Sequence, residues 1–230
     1  VRLGGRTWRV LASTVRLGGK ELRVVRPAQP VRHAPAYYDE RSGGATIVVD
    51  KAAAVDLACA WWLAARSPRS LVWLPLRTTG CTCESWPDDA QRLDIVLVHH
   101  SLGFRASSWK RVRARAESTG ALHTVELPHR PFPTLSAVDW DTAQYHDRRG
   151  RPPSVVRATN RDTLRFDLAA DTLFVVGSRP AFAQWSDQIR ELVEDCPRDM
   201  ATFPGRHCCA EIGGYCFDPH LHITYCQTHR

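Results

Sequence analysis

From residue 45 onward the chain alternates short apolar runs with helical segments, and that alternation limits its fold more than any other feature. "ATIVVD" reads as a strand, and "KAAAVDLACAWWLAARS" as a helix apolar on almost every side, hence buried in the body. "SLVWLPL" follows as a strand, then the polar loop "RTTGCTCESWPDDAQR", then the strand "LDIVLVHH". In "SSWKRVRARAEST" a helix starts at Ser107 or Ser108 and carries Trp109, Val112 and Ala116 along one face. "ALHTVEL" and "DTLFVVG" are further strands, "TLSAVDWDTAQYHD" has the pattern of a short helix, and "SVVRATNRDTLRFDL" that of a hairpin. "SRPAFAQWSDQIRELVEDCP" predicts one continuous helix. Ser178 caps it, Pro180 sits in its first turn, and Pro197 stops it; Phe182, Trp185, Ile189, Leu192, Val193 and Cys196 form its apolar stripe. Buried strands alternating with helices specify βαβ units. The expectation is an α/β domain over 45–200, with a mainly parallel sheet, helices on both faces, and central strands at 46–50, 71–76, 94–99, 121–127 and 172–177.

Two flanking pieces complete the predicted organisation. At the N-terminal side "VRLGGRTWRVL" returns as "VRLGGKELRVV", and each copy alternates around a Gly-Gly pair that suits a tight hairpin turn. Residues 1–44 therefore read as a β-hairpin-rich extension followed by the Pro- and Gly-rich linker "RPAQPVRHAPAYYDERSGG". Residues 201–230 read as a Cys/His-rich C-terminal cap.

Composition excludes several classes. With 43% hydrophobic and 24% charged residues, the chain is neither disordered nor fibrous. Its longest apolar run, "VDLACAWWLAA", falls short of the roughly 18 to 20 residues a spanning helix needs. No secretory leader is visible, so the reading is a cytoplasmic protein without a membrane partner. The net charge of +7 raises the question of a phosphate-rich partner. Only Lys20, Lys51 and Lys110 are lysines, however, and an arginine skew of this kind also follows from a GC-rich coding sequence. Nucleic acid or a phosphate-bearing small molecule stays open as a partner.

In an open parallel sheet, ligands bind beyond the carboxyl ends of the strands, where loops meet helix N-termini. Reading off those ends gives Asp50, His99, His100 and Ser101 as candidate catalytic groups. Arg77, Arg105, His129, Arg130, Ser178 and Arg179 are the candidate ligand-binding groups. Acid, base and cationic groups on one rim would suit a phosphate-containing ligand such as a nucleotide or nucleic acid. The established fingerprints are missing: there is no GxGxxG after a strand, no phosphate-binding GxxxxGK[ST], no HExxH and no GxSxG.

The segment 207–230, "HCCAEIGGYCFDPHLHITYCQTHR", packs four cysteines and four histidines into twenty-four positions. Structural zinc sites usually open with a CxxC knuckle, and none occurs in the chain. Cys209, Cys216, Cys226 and His229 are chemically able to hold zinc, but their spacing matches no common module. Unligated thiols are the plainer reading, with zinc as the functional alternative. Disulfides belong mostly to short secreted domains, and Cys59 lies inside an apolar run as a small buried side chain.

"FDPHLHITY" also resembles the His-x-Thr strand motif of the two-histidine phosphoesterases, with His222 and Thr224 in the motif places and "HHSL" offering His99 and Ser101 as a second copy. The resemblance implies two imidazoles acting as base and acid on a cyclic phosphate. It covers under a tenth of the chain, and the expected βαβ body departs from that family's paired lobes. Three functions thus follow as expectations: an enzyme on a phosphate-containing ligand, a non-enzymatic nucleic-acid- or protein-binding module with a zinc-bearing tail, or a phosphoesterase of this type.

Overall fold

Two sheets and one helix shared between them carry the fold. A computed structural model describes residues 2–39, 44–80, 90–130, 163–203, 205–213 and 220–227. The larger sheet has seven strands: β1 (Thr7–Leu17), β2 (Lys20–Pro27), β5 (Ser70–Leu74), β7 (Asp94–His99), β8 (Ala121–Glu126), β9 (Arg165–Leu168) and β10 (Thr172–Gly177). Their spatial order is β8-β1-β2-β5-β7-β10-β9. The smaller has five: β3 (Ala36–Asp39), β4 (Gly44–Val49), β6 (Gln91–Arg92), β11 (Cys209–Ile212) and β12 (Leu221–Tyr225), ordered β11-β12-β4-β3-β6. Helices α1 (Lys51–Arg66), α2 (Trp109–Glu117), α3 (Arg179–Gln184), α4 (Ser186–Glu194) and α5 (Cys196–Thr202) complete the described elements.

The mixed α/β content matches expectation, and every anticipated central strand is a strand. The mainly parallel sheet does not form. In the large sheet only β2 with β5 and β7 with β10 run parallel; β5 and β7 are antiparallel, with Leu71 opposite Val98 and Leu74 opposite Ile95. The physical reason was present in the sequence. A parallel return needs a crossover, usually helical, whereas the segment between β5 and β7 has no helical pattern. β4, expected beside these strands, belongs to the small sheet, where it pairs parallel with β12 and antiparallel with β3.

Period-two alternation divides the large sheet's side chains between two clusters. Val72, Leu74, Ile95, Leu97, Leu173 and Val175 join α1 and the small sheet in one cluster. Leu71, Trp73, Val96, Val98 and Phe174 join Trp109, Val112 and Ala116 of α2 in the other. The latter three are the apolar face read from the sequence. Trp109 fixes α2 to the sheet, its indole N–H donating to the Thr172 hydroxyl at 2.9 Å while its ring meets Trp73 edge-on at 5.4 Å.

α1 carries the other cluster. Ala54, Ala58, Ala60, Trp61 and Ala64 are all at or below 1% exposure, so the helix is enclosed as its composition required. The Trp61 indole N–H donates to the Phe182 carbonyl at 2.8 Å, and the two rings stand edge to face at 5.0 Å.

Two local expectations change. The first Gly-Gly pair does not turn a hairpin; it lies against the chain beyond β8, where a Cβ on Gly4 would stand 2.1 Å from the His129 carbonyl oxygen. Only the second pair, with Gly18 at φ 60°, closes a hairpin, between β1 and β2. The predicted continuous helix over 178–197 is three helices, broken at Trp185 and Asp195, with Pro197 in the first turn of α5 instead of ending anything. Its cap is as expected: the Ser178 hydroxyl accepts from the Ala181 N–H at 3.1 Å. The helix and hairpin expected within 134–162 lie outside the described residues. Among the described residues no helix is long and apolar enough to cross a membrane.

Asp56 on α1 ties the helix to β1 by accepting from the Trp8 indole N–H at 2.8 Å. Burial pushes its carboxyl up from 3.8 to about 6, with the Trp8 hydrogen bond lowering it and Asp50 raising it. A raised carboxyl binds its proton more tightly in the folded state than in the unfolded one. The associated stability is therefore complete below about pH 4 and lost as pH rises through about 6. Chemical denaturation across this window should show stability falling by on the order of 2 kcal/mol, and Asp56→Asn should flatten the slope and be the more stable protein at pH 7.

Candidate functional site

The antiparallel β5–β7 pair decides which candidate residues meet. Arg77 follows β5, whose end lies beside Ile95 near the start of β7, whereas His99 closes β7. Over the six residues of β7 the two ends are about 17 Å apart, at about 3.4 Å per residue. The anticipated single rim is therefore two. His99, His100, Ser101, Ser178 and Arg179 gather at one end, where Gly177 is in register with His99, while Arg105 follows Phe104, whose ring lies against Phe174 in the middle of β10. Arg77 stands at the other, and so do His129 and Arg130, which follow β8. Asp50 joins neither, since it ends β4 of the small sheet and caps α1, its Oδ1 accepting from the Ala53 N–H at 2.8 Å.

At the His99 end, Nδ1 lies 3.3 Å from the Ser101 amide nitrogen and 2.8 Å from the Ser101 Oγ. The amide can only donate, so Nδ1 is the unprotonated nitrogen and the neutral ring carries its hydrogen on Nε2. Burial, then the neighbouring His100, whose ring centroid is 4.9 Å away, hold the His99 imidazole below its ordinary pKa. Ser101, His100, Arg105 and Arg179 are exposed, and Ser178 is buried as the α3 cap.

The opposite end is built around Asp94, a residue that the sequence reading passed over inside an apolar strand. It is 2% exposed. Its Oδ1 accepts from the Leu76 and Arg77 backbone N–H groups at 3.0 and 3.1 Å, and its Oδ2 from Arg77 Nε at 3.0 Å. Arg113 of α2 stands 3.7 Å from Oδ2, and Arg77 also reaches Asp171 at 3.5 Å. Beside this cluster opens a recess of about 240 Å³ lined by Arg26, Trp73, Pro75, Arg77, Thr78, Asp94 and Glu117. Two of the lining residues, Arg26 and Trp73, carry buried donors, Nε and Nε1, that have no hydrogen-bond partner. The signal that would have led here is a carboxylate opening a strand otherwise made of Ile, Val and Leu: such a charge has to be met by cations.

The tail forms the β11–β12 hairpin, with Cys209 opposite Thr224 and Glu211 opposite His222. Of the expected zinc ligands, Cys216 and His229 lie outside the described residues. Cys226 is buried, and its backbone N–H bonds the Val49 carbonyl at 2.8 Å. Cys209 instead meets His207 and His222, the three candidate ligand atoms lying within 4.8 Å of one another. Glu211 Oε1 is 3.3 Å from His222 Nε2, and the Thr224 hydroxyl 3.4 Å from it. Burial, then Glu211 and Cys208, raise the Cys209 thiol pKa. Cys208 turns the other way, to the buried Cys196, whose thiol is raised by burial and by its Cys208 hydrogen bond. Cys59, Cys196, Cys208, Cys209 and Cys226 are all unbridged. The two His-x-Thr/Ser copies stand on different sheets, His99 against His100 and Ser101, His222 against Glu211, Thr224 and His207.

Removing one partner of a buried ion pair strands the other. Asp94→Ala should lower the unfolding free energy by about 3 to 5 kcal/mol, whereas His99→Ala at the exposed end should change it by less than about 0.5 kcal/mol, both read from urea midpoints. No family model, no curated protein and no solved structure matches the chain.

Proposed function

We propose that the protein binds a phosphate-bearing ligand in the recess between the ends of β2, β5 and β7 and the last turn of α2. One observation carries this reading: Arg26 and Trp73, whose Nε and Nε1 donors are buried without an acceptor, both line a recess that also contains Arg77. Each such donor costs about 1 to 3 kcal/mol when unmet, and an anionic oxygen would meet it through a charge-assisted bond. At about 240 Å³ the space is below the roughly 300 to 1,000 Å³ of sites for larger ligands, so it suits a phosphate group and the atoms nearest it. Binding fits better than catalysis here. Both oxygens of Asp94 are engaged by Leu76 and Arg77, so this carboxylate serves as a buried ion-pair partner.

A catalytic reading of the His99 end has the neutral His99 beside the Ser101 hydroxyl in its favour, an arrangement able to accept a proton at Nδ1. A nucleic-acid track along α2 has less support. Of the four basic residues Lys110, Arg111, Arg113 and Arg115, Arg113 turns inward to Asp94 and the Ala170 carbonyl and Arg115 donates to the Arg16 carbonyl, which leaves Lys110 and Arg111 as the outward cations.

Titration calorimetry with pyrophosphate, adenosine triphosphate and a short RNA separates these readings. Binding of a phosphate compound should weaken at least about tenfold, about 1.4 kcal/mol, in Arg26→Gln and in Trp73→Phe, and persist in His99→Ala and Arg111→Ala. Loss in His99→Ala alone would favour the other end. Equal weakening by Arg111→Ala, with a steep salt dependence, would favour a diffuse electrostatic surface.

A further inference from the structure

We infer that the outward face of the β11–β12 hairpin is a binding site for a divalent transition metal of the zinc class, with His207, Cys209 and His222 as ligands and the Glu211 carboxylate as the fourth. The inference rests on the hairpin alone and is independent of the phosphate reading.

The strand period brings the set together. Cys209 and Glu211 share one face of β11, His222 and Thr224 share the facing positions of β12, and the register sets Glu211 directly opposite His222. His207 continues the same alternation two residues before Cys209, its ring centroid 5.7 Å from that of His222. The intervening positions, Ala210, Ile212, Leu221, Ile223 and Tyr225, are buried in the core, so the His, Cys and Glu side chains occupy the face that the core does not use.

The distances among His207, Cys209 and His222 are those of a set close to closing on an ion, and Glu211 adjoins it through His222. Zinc holds nitrogen and oxygen at about 2.0 to 2.2 Å and sulfur at about 2.3 Å, so ligand atoms at tetrahedral angles are about 3.3 to 3.8 Å apart. Glu211 Oε1 and His222 Nε2 already stand at 3.3 Å. His207, Cys209 and His222 offer atoms within 4.8 Å of each other, and His207 and Cys209 are exposed side chains free to close the remaining ångström by rotation. A surface ion pair would account for Glu211 and His222, but not for a thiol and a second imidazole converging on the same point.

Ligand chemistry selects the ion. A thiolate with two imidazoles and one carboxylate suits zinc, cobalt or copper, and excludes magnesium and calcium, which want oxygen ligands. Four protein ligands make a closed site, so the metal's role is to tie residues 207–211 to β12, and binding adds directly to folded-state stability.

The test is titration of the chelator-treated full chain with cobalt(II). The expected result is one equivalent bound, with the visible bands of tetrahedral cobalt and a thiolate charge-transfer band, both displaced by zinc, and a rise in melting temperature with zinc but not with magnesium. Cys209→Ser should abolish the charge-transfer band, and Glu211→Gln should weaken binding by about 10- to 100-fold. Cys208→Ser, one residue away but facing Cys196, should leave the band intact; circular dichroism checks that each variant is folded. Absence of stoichiometric cobalt binding would overturn the proposal, and so would a band that survives Cys209→Ser or disappears in Cys208→Ser.

Discussion

The enclosure of α1 is the constraint on which the other elements depend. A helix that is apolar on nearly all sides has no stable position at a surface, so two sheets and two further helices must supply its walls. Its alanines at 54, 58, 60 and 64 bring those walls close, and its fully buried tryptophan, Trp61, meets both the Phe182 ring and the Phe182 carbonyl. Because α1 links β4 of the small sheet to β5 of the large one, enclosing it also fixes how the two sheets are joined. Cys59 at its centre has a thiol pushed up to about 12 by burial and by Asp56, which makes it a packing group and not a reactive one.

The strands and the buried helix were legible in the sequence because each is written in local hydrophobicity. "SLVWL", "DIVLVH" and "TLFVVG" are apolar for want of any solvent-facing side, and the structure buries them accordingly. Strand direction and sheet membership were not legible, because those are relations between distant segments. β4 has the same local signature as β5 but finds its partners in β12 and β3. The division of 178–197 into three helices was equally hidden, since the apolar stripe from Phe182 to Val193 continues across the break at Trp185.

The candidate sites followed the same rule. His99, His100, Ser101, Ser178 and Arg179 were placed together by strand ends alone, and parallel β7 and β10 do bring them to one end. Arg77 was misplaced by the antiparallel pairing of β5 with β7. Asp94 was invisible as a focus because its cations come from elsewhere, Arg77 from the β5 loop and Arg113 from α2. In the tail, Cys209 was singled out by composition, whereas its nearness to His207 and His222 follows from the pairing of β11 with β12, a relation that local spacing does not display. The same contacts temper the net charge of +7. Arg77 and Arg113 face acidic groups, while Arg26 and Arg115 donate to backbone carbonyls, so part of the positive charge is internal fastening.

The position of β12 bears on the order in which the small sheet can be assembled. β4 lies between β3, its near neighbour in sequence, and β12, whose pairing residues Leu221 to Tyr225 are translated long after Ala45 to Val49. Until they arrive, one edge of β4 presents unpaired backbone groups and the small-sheet side of α1 lacks the cover of Ile223 and Leu221. Closing so long a loop is slow on topological grounds, so the chain carries an open sheet edge until β12 docks. Once the sheet is complete, β11, with Cys209 and Glu211, and not the apolar β12, forms that edge, an ordering that keeps it polar.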